Sequence, residues 1–156
     1  LVWLWLAKRK IEPNTIIKFG LAFLFLAGGF WVFYYTKFFA DASGKTSLDL
    51  FTFGWFIITF GELCLSPIGM SAMTKLSPQK TQAVIMGMWF LASAYGQYFA
   101  GILGANIAKA SKNATNIEKL NTYADGYYQL AIYALIAGVV LIVISPLVKK
   151  LMQDVK

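Results

Sequence analysis

Histidine is absent from the 156 residues, cysteine occurs once, and only 13% of the chain is charged. Without histidine there can be no imidazole-ligated metal and no serine–histidine relay within this chain. The lone Cys64 can form no internal disulfide and reads as a small apolar filler. A glycine-rich phosphate loop, a pair of carboxylates and a solenoid-length repeat are all missing. The scarcity of charge is the most informative, because a soluble domain carries about one-quarter charged residues. With 58% hydrophobic and 17% aromatic residues, this is the composition of a membrane protein.

What is present is a set of long apolar runs. A helix crosses the roughly 30 Å hydrocarbon layer in about 20 residues. Four runs reach that length: Ile16 to Tyr35, broken only by Lys18; Leu50 to Thr74, broken only by Glu62; Thr81 to Ala108; and Gly126 to Val148. The predicted fold class is therefore all-α transmembrane, with spans over 15–37, 50–74, 81–108 and 126–148. A fifth run, "LVWLWLA" over 1–7, is too short to span and has no signal-peptide flanks, so it is expected to be the end of a helix that begins earlier. The absence of an initiator methionine fits the same expectation, that this is a fragment.

Between the spans lie polar segments that orient them. If residues 8–14 are cytoplasmic, alternation puts 76–80 and the tail from Lys149 on the same side. That side then holds Lys8, Arg9, Lys10, Lys18, Lys75, Lys80, Lys149, Lys150 and Lys156, against Lys37, Lys45, Lys109, Lys112 and Lys119 opposite. The excess of basic residues favours this orientation and accounts for the net charge of +7 without nucleic acid. The outer segments "TKFFADASGKTSLD" and "NIAKASKNATNIEKLNTYADG" are turn-forming in composition and are expected to be loops. The sequon Asn113-Ala114-Thr115 is incidental unless the chain enters a secretory pathway.

Glu62 is the only ionisable group deep in a span, thirteenth of the 25 residues from Leu50 to Thr74. A carboxylate at the bilayer centre costs at least about 2.5 kcal/mol, so it should face protein or a watery cavity. Trp55, Thr59, Glu62, Ser66 and Gly69 share one helical stripe, while Phe53, Phe56, Phe60 and Leu63 lie on other faces. The plain reading is an interhelical hydrogen bond that holds the bundle together; the functional reading is an ion or substrate path, which intramembrane acids usually mark. Pro67 removes a backbone N–H and clashes with the Leu63 carbonyl, so the helix is expected to bend just past Glu62, loosened further by Gly61 and Gly69. That bend serves either as static packing or as a hinge. In the third span Ala92, Gly96, Ala100 and Gly104 recur every four residues, a ladder that admits another helix closely, with Trp89, Phe90 and Ser93 beside it.

"FGELCLSPIGMSAMTKLSP", then "MGMWFLASAYGQYFAG", then "AIYALIAGVVLIVISPLVKKLM" together resemble the C-terminal part of the proton-dependent oligopeptide transporter family of the major facilitator superfamily. The resemblance implies that 1–7 ends the eighth helix and that the four spans are helices nine to twelve. It implies proton-coupled symport of di- and tripeptides across the plasma or inner membrane, with no enzyme activity and no cofactor other than the coupling proton. By the same resemblance Glu62 engages the peptide amino group and couples to the proton, and Ser66 lines its site. Trp89 and Phe90 surround the side-chain pocket, Ser93 is a polar pocket residue, and Met70 falls at a gate position, next to the candidate hinge of Pro67 and Gly69 read above from helix chemistry. The partners implied are small peptides, the lipid bilayer and an N-terminal half of the same protein; none is nucleic acid.

Two alternatives stand beside it. A free-standing four-helix membrane scaffold would need no pocket, and a transporter of the same family could carry a non-peptide substrate. An intramembrane hydrolase would need a paired acid or a serine with a base, and the sequence offers neither.

Overall fold

The computed structural model describes residues 2–107 and 114–151 and is almost wholly helical. Five helices follow in order: α1 (Val2–Lys8), α2 (Thr15–Tyr35), α3 (Leu48–Leu76), α4 (Gln82–Ile107) and α5 (Asn116–Leu151), with a 3₁₀ turn at Thr36–Phe39. Local chemistry fixes their ends. Asn14 caps α2 by accepting a 2.8 Å hydrogen bond from the Ile17 amide. Ser47 caps α3 through the Asp49 amide at 3.2 Å, and Asp49 sits where the helix dipole favours an anion. Ser77 leaves helical geometry just before Pro78, as a residue preceding proline tends to do.

The apolar runs become helices close to their expected limits, with Leu1 and Ala108 outside the described residues. One expectation is overturned. Residues 116–125, read from their polarity as part of an outer loop, are the first turns of the 36-residue α5. The reason is a reciprocal cap. The Glu118 amide donates to Thr115 Oγ1 at 3.3 Å, while the Thr115 amide donates to Glu118 Oε2 at 2.7 Å. The sequon asparagine and Lys109, Lys112 and Lys156 fall outside the described residues.

A second expectation needs narrowing. Among the described residues α2 with its 3₁₀ turn, α3 and α5 are long and apolar enough to cross a membrane. At 26 residues, α4 has the length, but Gln97, three aromatic hydroxyl or indole side chains and its glycines dilute its apolar character.

α2 is the central helix, packed on α5 along one side and on α3 along the other, whereas α4 touches α3 and α5 only lightly. The chain reverses at each connection. The start of α2 meets the end of α5, where Asn14 Nδ2 donates to Ser145 Oγ at 2.7 Å. At the opposite end of the molecule, Lys37 pairs with Asp125 at 3.0 Å and the Asn116 side chain donates to the Ser43 carbonyl at 3.4 Å. There Asp41 accepts from the Ser43 hydroxyl and from the Ser43 and Lys45 amides, which holds its carboxyl below the usual carboxylate range.

Close approach of backbones sets the core. A Cβ at Gly20 would lie 3.1 Å from the Gly138 carbonyl oxygen, and one at Gly138 would lie 3.0 Å from the Gly20 oxygen. A Cβ at Gly61 would lie 2.8 Å from the Ala22 oxygen. Small residues permit this contact in membranes, where packing rather than hydrophobic transfer drives association. The ladder Ala92, Gly96, Ala100 and Gly104 meets no helix in this way: Gly96 and Gly104 have open space around them among the described residues. Among the described residues the glycines at close helix contacts are on α2, α3 and α5.

Candidate functional site

On α3, Gly54, Gly61, Cys64, Gly69 and Ala72 are buried, with Gly54 and Gly61 set against α2. Cys64 is free and buried, as its apolar setting suggests. Glu62 follows Gly61 and therefore lies at the edge of this interface, exposed on its outer side. There it borders a cavity of about 270 Å³. Ala22, Phe23 and Leu26 of α2 form one wall and Ile58, Gly61 and Leu65 of α3 form the other; Glu62 and Ser66 are the polar side chains on its lining. Gly61 makes the arrangement possible, because its missing side chain lets the α2 backbone come close beside Glu62.

The expected stripe on α3 divides. Glu62 and Ser66 reach the cavity together. Thr59 donates to its own helix at the Trp55 carbonyl, 2.9 Å away, and Trp55 joins a ring cluster with Phe33 and Phe51. Gly69 does not line the cavity; it receives the indole of Trp89, whose ring would collide with a Cβ placed there. α3 continues through Pro67 to Leu76.

The α4 candidates form a separate group. Trp89 is half-buried against Gly69, two turns along α3 from Glu62. Phe90 is 60% exposed, and Ser93 donates to the Trp89 carbonyl at 3.0 Å. None of the three lines the Glu62 cavity. Met70 lies in the α3–α4 hairpin region, where Thr74 donates to its carbonyl at 2.9 Å and Gln82 of α4 donates to the Thr74 carbonyl at 3.1 Å.

Among the described residues the ion pairs are Lys18–Glu12 and Lys37–Asp125, and neither involves Glu62. The Glu62 side chain therefore borders a mostly apolar cleft without an ion-pair partner among the described residues. No group of three or more potential metal ligands occurs among the described residues.

Sequence reasoning passed over the Asn14–Ser145 pair and the Lys18–Glu12 pair. Ser145 is 1% exposed and donates back to Asn14 Oδ1 at 3.0 Å. Lys18 is buried as well, with its ammonium 5.1 Å from the Trp3 ring centre. Asn14 carries a readable helix-start signal, but nothing local points to a partner 131 residues away.

Comparison with known proteins gives these features a context. Residues 1–123 match the POT family. The chain is 34% identical over 156 residues to the peptide transporter YePEPT of Yersinia enterocolitica, covering 97% of this chain and 29% of that protein. It is 30% identical to the di-/tripeptide transporter of Lactococcus lactis subsp. cremoris, covering 99% of this chain and again 29% of the relative. A solved structure from work on substrate recognition in proton dependent oligopeptide transporters superposes with a TM-score of 0.71 at 25% identity, covering 96% of this chain and 32% of its own. The chain thus spans less than one-third of the length of these relatives. With more than half of its residues matched and its helices superposed on a member, this multi-pass membrane protein belongs to the POT family of transporters.

Proposed function

We propose that this chain forms part of the substrate site of a proton-coupled symporter of di- and tripeptides that works by alternating access. The observation that carries the reading is Glu62: a carboxylate in mid-span, on an open cavity, with no cation paired to it among the described residues. The named peptide transporters to which the chain is similar support the substrate class.

In this reading Glu62 exchanges two cationic partners. Burial in a closed site favours its protonated form, and an adjacent ammonium favours the carboxylate, so a change of partner captures or releases a proton. A proton crossing about 100 mV contributes about 2.3 kcal/mol to accumulation. Ser66 supplies a hydroxyl one turn away on the same cavity, and Ala22, Phe23 and Leu26 give the apolar wall. Trp89, Phe90 and Ser93 serve a neighbouring part of the substrate path, and Pro67, Gly69 and Met70 serve the inner gate.

Replacing Glu62 with glutamine tests the reading, because the amide keeps the shape but cannot ionise. In vesicles containing the complete transporter, Glu62→Gln is expected to abolish proton-driven accumulation of a dipeptide. Exchange of labelled for unlabelled peptide, which needs no net proton movement, should persist with weakened affinity. If Glu62 were interhelical glue alone, the amide would serve nearly as well, since such bonds average below about 2 kcal/mol. Accumulation near wild type at normal expression would reject the coupling role.

A further inference from the structure

Charge is distributed very unevenly between the two ends of the described chain. The end containing the α1–α2 connection, the α3–α4 connection and the finish of α5 carries Lys8, Arg9, Lys10, Lys18, Lys75, Lys80, Lys149 and Lys150 against Glu12 alone. The opposite end carries Lys37, Lys45 and Lys119 against Asp41, Asp49, Glu118 and Asp125. At the basic end Glu12 is already committed to Lys18.

Tertiary structure concentrates this excess further. The two hydrogen bonds between Asn14 and Ser145 draw the α1–α2 connection against the last turns of α5. Lys10 is four residues before Asn14, and Lys149 is one helical turn beyond Ser145, so cations from opposite ends of the sequence share one corner. Lys8, Arg9, Lys10, Lys149 and Lys150 are all exposed, and none pairs with an acid among the described residues.

Helix ends account for part of the set only. Lys8 and Lys149/Lys150 occupy last turns, where a cation complements the dipole. Lys10 has no such reason to be there. The Ile11 amide donates to the Leu6 carbonyl and the Lys10 amide to the Ala7 carbonyl, closing α1 with Lys10 at φ 59°. That left-handed position normally takes glycine, and a lysine there is strained. Arg9 lies 4.0 Å from the centre of the Trp5 ring, which is 51% exposed, so a cation and an interfacial aromatic project together.

We propose that this corner binds the phosphate headgroup of an anionic membrane phospholipid, held by Lys8, Arg9 and Lys10 on one side and Lys149 and Lys150 on the other. Basic pockets beside membrane helices attract such headgroups, each cation near the surface adding to the attraction. In this arrangement the exposed Trp5 ring, in contact with Arg9, would sit at the headgroup boundary. The inference is independent of the peptide site.

Native mass spectrometry of the complete purified transporter, titrated with dioleoyl phosphatidylglycerol or dioleoyl phosphatidylcholine, tests it. Phosphatidylglycerol is expected to be retained preferentially, and the five-fold glutamine variant of Lys8, Arg9, Lys10, Lys149 and Lys150 should lose that preference by about tenfold or more. Inorganic phosphate should fail to displace the lipid, which separates a membrane source from a free anion. Glutamine at Lys37, Lys45 and Lys119 should leave retention unchanged, and arginine at the four lysines should preserve it. Lys10→Gly separates binding from folding: it should raise the melting temperature by relieving the left-handed lysine while weakening lipid retention. Equal retention of the two lipids, or undiminished phosphatidylglycerol retention in the five-fold variant, would overturn the proposal, as would displacement by phosphate.

Discussion

Gly69 and Trp89 show how one residue can decide the position of another. The indole of Trp89 occupies the space a side chain at Gly69 would need, so the two must be read together. If Trp89 contacts substrate, Trp89→Ala should weaken uptake of peptides with large apolar side chains by about 1 to 3 kcal/mol in the specificity term, with less effect on dialanine. Gly69→Ala should displace the indole and reproduce the same selectivity, at an overpacking cost of about 1–3 kcal/mol. Parallel uptake assays with a bulky dipeptide and dialanine check both; equal loss for all peptides would assign the pair to packing. Glu62 was conspicuous in the sequence because a carboxylate is so costly in a span. Its neighbours on α2 were not, because Ala22, Phe23 and Leu26 look like any lipid-facing residues until α2 is placed against Gly61.

Among the elements, α5 departs most from its reading in the sequence. Residues 126–148 are apolar enough to announce a span, and the first ten residues of the helix are polar enough to resemble a loop. Polarity misled because the segment runs beyond the apolar run, where a polar helix suffers no penalty and needs only a start signal. That signal, Thr115-Asn116-Ile117-Glu118, was present in the letters as a capping box. Thr115→Ala and Glu118→Ala should each cost about 1 kcal/mol of local stability. Hydrogen exchange in residues 116–122 should then quicken while residues 131–145 stay protected; unchanged exchange would show that the Asn116–Ser43 and Lys37–Asp125 contacts alone hold this segment. For α4 the sequence pattern identified a packing stripe correctly as small, yet among the described residues no partner helix lies on it.

For the whole molecule, the alternation of helices and the uneven charge make sidedness testable. A cysteine replacing Gln79 should be protected from an impermeant thiol reagent in intact cells, whereas one replacing Ser43 should react; the reverse pattern would overturn the orientation. The sequence by itself determined that the chain is helical and membrane-embedded, where its apolar runs lie, which carboxylate is exceptional, and which family it resembles. These follow from one-dimensional quantities: the run length needed to cross hydrocarbon, the cost of a charge there, and motif spacing. Tertiary structure alone decided that α2 is the central helix, that Gly20 meets Gly138 and Gly61 meets Ala22, that Trp89 rests on Gly69, and that Asn14 is bonded to Ser145. In a membrane the helices share nearly the same apolar surface, so hydrophobic pattern cannot rank their partners. That choice falls to close packing of small residues and a few hydrogen bonds, which become visible only when the two backbones are brought together.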